Sequence, residues 1–255
     1  MGWEALYEQF AAIAPAGRDL WQDVYVKFCT AFLVGDRWKL YLKGLGSTLE
    51  LTIIALALGV VLGVVVAVIR SAHDQQRVGR KNPVLGVLNA LCKVYTTVIR
   101  GTPMLVQLLI WGFVIFKSSR NLTMVGALGL GVNSGAYVAE IVRGGLMSVD
   151  VGQSEAGRSL GLGYLDTMRY IIIPQAFKNI LPSLGNEFIT LFKDTSLVGA
   201  IGGMELVYYA QAIGGKTFEP IFPYLGIALM YLLFVMLLTW LQGKLERRLR
   251  QSDRR

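Results

Sequence analysis

Apolar residues along this chain fall into runs too long and too evenly apolar for helices that bury a single face. Leu51 to Ile69 carries no charge, with Glu50 just outside it, and Leu225 to Leu241 is likewise uncharged. Nineteen helical residues reach about 28 Å, close to the ~30 Å hydrocarbon thickness of a bilayer. The pattern predicts five membrane-spanning helices, at about 47–69, 96–117, 123–148, 184–210 and 222–243. The apolar stretch from Val84 to Phe116 is too long for one upright crossing. Lys93, Arg100 and the Gly101-Thr102-Pro103 break place its first part obliquely, as an elbow, before the crossing proper. Pro103 has no N–H to give, so a kink or a helix restart is expected there.

Ahead of the first span, Leu20, Val24, Phe28 and Phe32 recur every four residues among Asp19, Asp23 and Lys27. This spacing predicts an amphipathic helix that lies on the membrane surface or packs on the bundle. Asp36, Arg37, Trp38 and Tyr41 then mark an interface. The chain divides into an extracytoplasmic, interfacial segment 1–46, a transmembrane domain 47–243 and a basic cytoplasmic tail 244–255. Glu4, Glu8 and Gln9 interrupt the N-terminus early, which argues against a cleavable signal peptide.

The composition agrees: of 255 residues 54% are hydrophobic, and the mean hydropathy is +0.51. A net charge of +8 raises the question of nucleic acid. The basic residues sit at helix ends without interleaved stacking aromatics, so they read as membrane topology and no nucleic-acid partner is expected. Arg70, Arg77, Arg80 and Lys81, then Arg143, Arg158, Arg169 and Lys178, and finally the tail would share one side of the membrane. Only Lys117, Arg120 and Lys216 fall on the other side beyond residue 46. Positive residues collect inside, which puts the tail in the cytoplasm and the N-terminus outside. Cys29 and Cys92 lie in different segments and His73 is the single histidine, so neither a disulfide nor a metal site is expected.

The connection 150–182, between the third and fourth spans, is polar and punctuated by glycine. Glu155-Ala156-Gly157 offers small residues beside one carboxylate, suited to a helix that enters a groove on another protein. Gly161 and Gly163 let the backbone turn so that a second short helix starts near Tyr164. Pro174 and Pro182 are expected to end segments and fix their entry angles. Gly157, where alanine would favour the helix, should loosen it by about 1 kcal/mol.

Glu155-Ala156-Gly157, then Gly161, then Ile171-Ile172-Ile173-Pro174 together resemble the EAA loop of permease subunits in binding-protein-dependent ABC importers. Gly157 stands for the pattern's second alanine and Ile173 for its leucine. Arg100-Gly101-Thr102-Pro103 with Gln107, Ser134 to Tyr137 through Glu140 to Gly144, and Lys193 to Leu197 resemble the polar amino-acid branch of that family. The resemblance runs over roughly residues 40 to 245 and implies an all-α integral membrane protein. That protein would be a five-helix permease of the type I importer class with a cytoplasmic coupling helix, in a bacterial or archaeal cell membrane. It implies that Glu155, Ala156, Gly157, Gly161 and Pro174 couple to a separate ATPase subunit, which would bind ATP and magnesium while this chain binds no cofactor and hydrolyses nothing. A second permease chain, an extracytoplasmic solute-binding protein and a polar amino acid complete the implied set of partners.

Ala210 to Thr217 fits a relaxed P-loop pattern, but a transmembrane helix precedes it and Pro220 and Pro223 follow where the nucleotide-binding helix should start. Polar residues within the spans are the candidates for the substrate path, because their burial in lipid is costly. Arg100, Gly101 and Thr102 could open backbone N–H groups to an α-carboxylate, or the break could simply shape the bundle. Gln107 and Tyr137 could add hydrogen bonds. Glu140 and Arg143 lie on one face and can pair with each other. Glu187, sharing a face with Asn186 and Thr190, could accept a substrate ammonium or serve as a structural acceptor. Gly59 and Gly63 offer a small-residue face for packing within the chain or against a neighbour. The alternative is a self-sufficient proton-coupled secondary transporter or channel, which would usually show more spans or an inverted repeat.

Overall fold

The computed structural model describes residues 2–76 and 82–252, whose regular structure is all helix with no strand among them. Arg77, Arg80, Lys81, Arg254 and Arg255, which contribute to the charge asymmetry, lie outside the described residues.

Two helices, α1 (Trp3–Ala11) and α2 (Leu20–Phe32), open the chain as a hairpin. Arg18 reaches back to the carbonyls of Phe10, Ala11 and Ile13, giving partners to acceptors that the end of α1 leaves open. Asp19 caps α2: its carboxylate accepts from Gln22 N at 2.7 Å, and the Gln22 side chain accepts in return from Asp19 N at 3.2 Å. The helix buries Val26, Cys29 and Ala31. The stripe of Leu20, Val24 and Phe28 therefore faces away from the bundle, while Phe32 seats against Gly226.

Helix α3 (Trp38–Asp74) starts well before residue 47, so the expected boundary between interfacial segment and first span falls inside one unbroken helix. Gly44 explains part of that continuity: a Cβ there would sit 2.9 Å from the Leu206 backbone, so the early part of α3 is packed rather than free. Across from α3 lies α6 (Leu122–Met147). Gly59 abuts Ser134 and Gly63 abuts Val138, and an added Cβ would meet those side chains at 2.7 and 2.6 Å. The small-residue face is thus used within the chain.

Helix α4 (Pro83–Gly101) begins on an Asn82 cap followed by Pro83, whose missing N–H costs nothing in a first turn. Tyr95 reaches the Val132 carbonyl at 2.6 Å and Arg100 reaches Tyr137 and Glu140, all on α6. The helix stops at Gly101, Thr102 is extended, and α5 (Met104–Ile110) restarts after Pro103 before passing into a π turn at Trp111–Ile115. The restart is where the sequence predicts it.

Beyond α6 come α7 (Val151–Ser159), α8 (Tyr164–Thr167), a π turn at Met168–Ile172 and α9 (Ile173–Asp194). Pro174 and Pro182 were expected to end segments, and neither does. Pro174 lies in the first turn of α9, directly after the π turn has already shifted the bonding pattern, and Pro182 sits inside α9. Helices of this kind absorb a proline when neighbours satisfy the freed groups. The Pro182 carbonyl takes a hydrogen bond from Gln242 at 3.2 Å.

The fourth span is not the single helix expected over 184–210. After Asp194 the chain tightens into a 3₁₀ segment at Thr195–Ile201, turns at Gly202 with φ of 85°, and resumes as α10 (Leu206–Thr217). The P-loop-like run 210–217 is helical, so it offers no backbone cradle for a phosphate. The final helix, α11, spans Ile221–Ser252. Among the described residues, four helical stretches are long and apolar enough to cross a bilayer, Val34–Asp74, Pro83–Gly101, Leu122–Met147 and Ile221–Leu249, and Met104–Ile115 is a shorter apolar one. Two apolar clusters hold the bundle together. One joins Leu51, Leu108, Leu130, Leu191 and Val198, and the other joins Tyr41, Phe192, Leu206, Ile213 and Ile227.

Candidate functional site

Two places in the fold concentrate polar chemistry: a ladder along α6 and the α7–α8 element between α6 and α9.

On α6, Asn133, Ser134, Tyr137 and Glu140 follow one another at helical spacing, and each meets a different part of the bundle. Asn133 donates to Gln107 Oε1 at 3.0 Å. The buried Gln107 amide nitrogen in turn lies 2.7 Å from the Ile99 carbonyl, 3.1 Å from the Thr102 carbonyl and 2.7 Å from the Thr102 hydroxyl. Gln107 thereby spans the Gly101–Thr102 break and satisfies carbonyls that the interrupted helix leaves open. Ser134 donates to Glu187 Oε1 on α9 at 2.7 Å. Tyr137 lies under the Arg100 guanidinium, 5.4 Å from ring to cation.

Glu140 does not pair with Arg143 as the spacing on α6 suggested. It is bonded to Arg70 of α3 and lies 3.9 Å from Arg100, while Arg143 pairs with Asp74 at 3.7 Å. Partners on other helices outcompete the local one because α3 and α4 bring their cations directly over the α6 face. Arg100, Gly101, Thr102, Gln107, Tyr137, Glu140 and Glu187 all converge on this ladder. Gly101 and Thr102 are exposed at the break, and a Cβ on Gly101 would meet nothing within 4 Å. On α9, Asn186 and Thr190 are exposed beside Glu187, so a polar stripe lies open along a helix of the membrane domain.

One buried acid escaped the sequence reading. Glu205 is fully buried; it caps α10 by accepting from Val207 N at 2.8 Å and Tyr208 N at 2.9 Å, and it accepts from the Tyr231 hydroxyl at 3.3 Å. A Cβ on Gly199 would come within 2.8 Å of its carboxylate. The signal was present as Gly202-Gly203 followed by an acid before an apolar helix, but an unbroken span over those residues hides it.

The α7–α8 element is built from local rules. Asp150 caps α7 through Gly152 N at 2.7 Å. At its other end Gly161 has φ of 81°, Gly161 N bonds the Arg158 carbonyl at 3.0 Å and Leu162 N bonds the Gly157 carbonyl at 3.1 Å. This paired closure is a Schellman turn, which requires the left-handed backbone that glycine adopts without strain. The second short helix then starts at Tyr164. Gly157 is buried, and a Cβ there would lie 3.0 Å from Thr167 and 3.1 Å from Ile171. Its role is close seating of α7 on the following segment, which offsets the poor helix propensity of glycine. Nine residues are too few for a stable helix alone, so this contact supplies its order.

Glu155 and Ala156 project outward, and Pro174 is exposed nearby. Around them Val151, Leu160 and Leu165 are at least 72% exposed, an apolar surface with nothing over it. A cleft of about 610 Å³ separates the element from the end of α3, and Tyr164 bridges it to Gln75.

The family model for binding-protein-dependent transport system inner membrane components matches residues 82–251. A Rickettsia typhi protein provisionally named glutamine transport system permease protein GlnP is 36% identical over 211 residues, covering 82% of this chain and 92% of that one. The Bacillus subtilis arginine transport system permease protein ArtQ is 34% identical over 217 residues, covering 83% and 93%. Among solved structures, an amino acid ABC transporter crystallised with histidines superposes with a TM-score of 0.73 at 40% identity, over 82% of this chain and 94% of that one. The MetNI methionine transporter in an inward-facing form gives 0.70 at 19% identity, which speaks for the fold alone. With a helical bundle carrying several long apolar helices, an exposed α7 between α6 and α9 and these relatives, the chain belongs to the binding-protein-dependent transport system inner membrane component family.

Proposed function

We propose that this chain is the permease subunit of an ATP-driven importer for a polar amino acid of the glutamine or arginine kind. It would work as one of two permease chains, with ATPase subunits on the α7 side and a solute-binding protein on the opposite side. The N-terminus would lie outside and the C-terminus in the cytoplasm, with ATP and magnesium held by the ATPase. The single observation that carries this reading is α7 itself, a short helix held off the bundle by the Gly161 turn, with Glu155, Ala156 and an apolar surround left open. Such a surface suits an external groove.

Closure of the ATPases would move α7, and the Gly157 seat and the continuous helix through Pro174 would pass that motion to α9. Differential binding of the ATPase to two bundle states is what links hydrolysis to transport. Along the path, Arg100 and the exposed Gly101–Thr102 break face an α-carboxylate. Glu187 receives a cationic or amide group, and Gln107, Tyr137 and Glu140 hold those partners in place.

Gly161→Val and Glu155→Trp test the reading. Uptake of labelled arginine and glutamine into vesicles is expected to fall while membrane insertion is unchanged and ATPase co-purification is lost. Unchanged uptake and co-purification in both variants would overturn it.

A further inference from the structure

Helix α11 runs without a break from Ile221 to Ser252, so its last turns continue beyond the apolar part of the helix. Leu229, Leu232, Leu233, Met236 and Leu237 are all large apolar side chains exposed on that part. The change to basic residues is abrupt, at Lys244, Arg247 and Arg248. A shallow groove of about 460 Å³ crosses this change on one face of the helix. Val235, Met236, Thr239 and Gly243 line it, and Trp240, Lys244 and Arg247 stand at its basic end. No atom lies within 4 Å of where a Gly243 Cβ would be, so the missing side chain deepens the groove. Lys244 Nζ sits 3.6 Å over the Trp240 ring, which holds the cation back at the apolar edge.

We propose that this groove binds an anionic phospholipid of the phosphatidylglycerol type, with its phosphate between Lys244 and Arg247 and an acyl chain over Val235 and Met236. Tryptophan settles at the headgroup depth of a bilayer, and basic residues just beyond a span attract anionic lipid. Glu246, the acid among the described residues of this tail, is turned aside: it accepts from Gln242 at 3.1 Å, which also donates to Pro182 of α9. The two cations of the groove are therefore not neutralised by it. A second copy of α11 laid on the same face about a two-fold axis along the membrane normal would set Lys244 and Arg247 against their own copies, a like-charge contact. A free phosphate ion would gain nothing from the apolar residues of the groove. The inference needs α11 in a bilayer and does not depend on the role of α7.

The test is fluorescence quenching in the intact transporter complex held in phosphatidylcholine nanodiscs doped with brominated phosphatidylglycerol or brominated phosphatidylcholine. The difference between the native complex and Trp240→Phe isolates the Trp240 emission. Brominated phosphatidylglycerol should quench that component at lower mole fraction than brominated phosphatidylcholine. The double variant K244Q/R247Q should lose at least about five-fold of that preference, with uptake and subunit composition retained. Equal quenching by the two lipids, or a preference unchanged in K244Q/R247Q, would overturn the proposal. So would a Trp240 component that neither lipid quenches, since a protein surface would then cover the groove. Loss of the preference on adding inorganic phosphate would assign the cations to a free ion and overturn it as well.

Discussion

A Cβ atom placed on Gly63 would lie 2.6 Å from the Cβ of Val138. The two helices that carry these residues, α3 and α6, approach at this point as closely as backbones with side chains allow. Gly63→Ala forces them apart and should cost about 1–3 kcal/mol of stability. Thermal unfolding of the detergent-purified chain should show a lowered midpoint. Equal midpoints for the native chain and the glycine variant would contradict this packing.

Gln107 is expected to matter first for the shape of the α4–α5 break. Gln107→Leu keeps the volume but leaves the Ile99 and Thr102 carbonyls and the Asn133 amide without this partner. Each such loss costs about 1–3 kcal/mol when buried. The variant should unfold at lower temperature and expose the break to protease cleavage near Thr102; Gln107→Glu should rescue neither effect, since a carboxylate cannot donate to the two carbonyls.

The Ser134–Glu187 hydrogen bond separates two roles for the acid. If Glu187 receives a cationic group, Glu187→Gln should lower arginine uptake by about ten-fold, a loss near 1.4 kcal/mol, and glutamine uptake by much less. Ser134→Ala should leave that selectivity in place. Equal losses for both amino acids would reduce Glu187 to a structural acceptor.

At the N-terminal hairpin, Lys27 is bound by Asp23 at 2.8 Å and by Glu219 at 3.3 Å. Asp23 first, and Glu219 after it, hold the Lys27 ammonium above its ordinary pKa of 10.5, against a partial opposing effect of burial. A raised folded-state value means that the stabilisation is complete below the ordinary value and is lost as pH climbs through the raised one. The native chain should therefore lose more thermal stability above pH 10.5 than Lys27→Met does. Matching pH profiles would show that the pair contributes nothing to hairpin attachment.

Features set by short stretches of chain were legible in the sequence. The Gly161 turn, the second helix at Tyr164, the restart after Pro103 and the length of the apolar runs all follow from backbone preference and local composition. Features set by contact between distant segments were not. Glu140 had a plausible neighbour in Arg143 one turn away, and nothing local reveals that Arg70 and Arg100 come closer. Pro174 and Pro182 look like helix ends until the π turn and Gln242 are known. The break over residues 195–205 hid behind apolar residues that suit a straight helix equally well. Glu205, its cap, was hidden for the same reason.

The four rungs of α6 are tied to different elements: Asn133 to α5, Ser134 to α9, Tyr137 to α4, and Glu140 to α3 and α4. Sliding α9 along α6 severs the Ser134–Glu187 link and leaves the other three rungs intact. A swing of α4 instead releases Tyr137 and one of the two cations on Glu140, while the Arg70 clasp persists. Each neighbour of α6 can therefore release its own rungs while the others hold, although α9 is also seated on α6 where Gly145 meets Ile180 and where Asn179 donates to Ser148 at 2.8 Å.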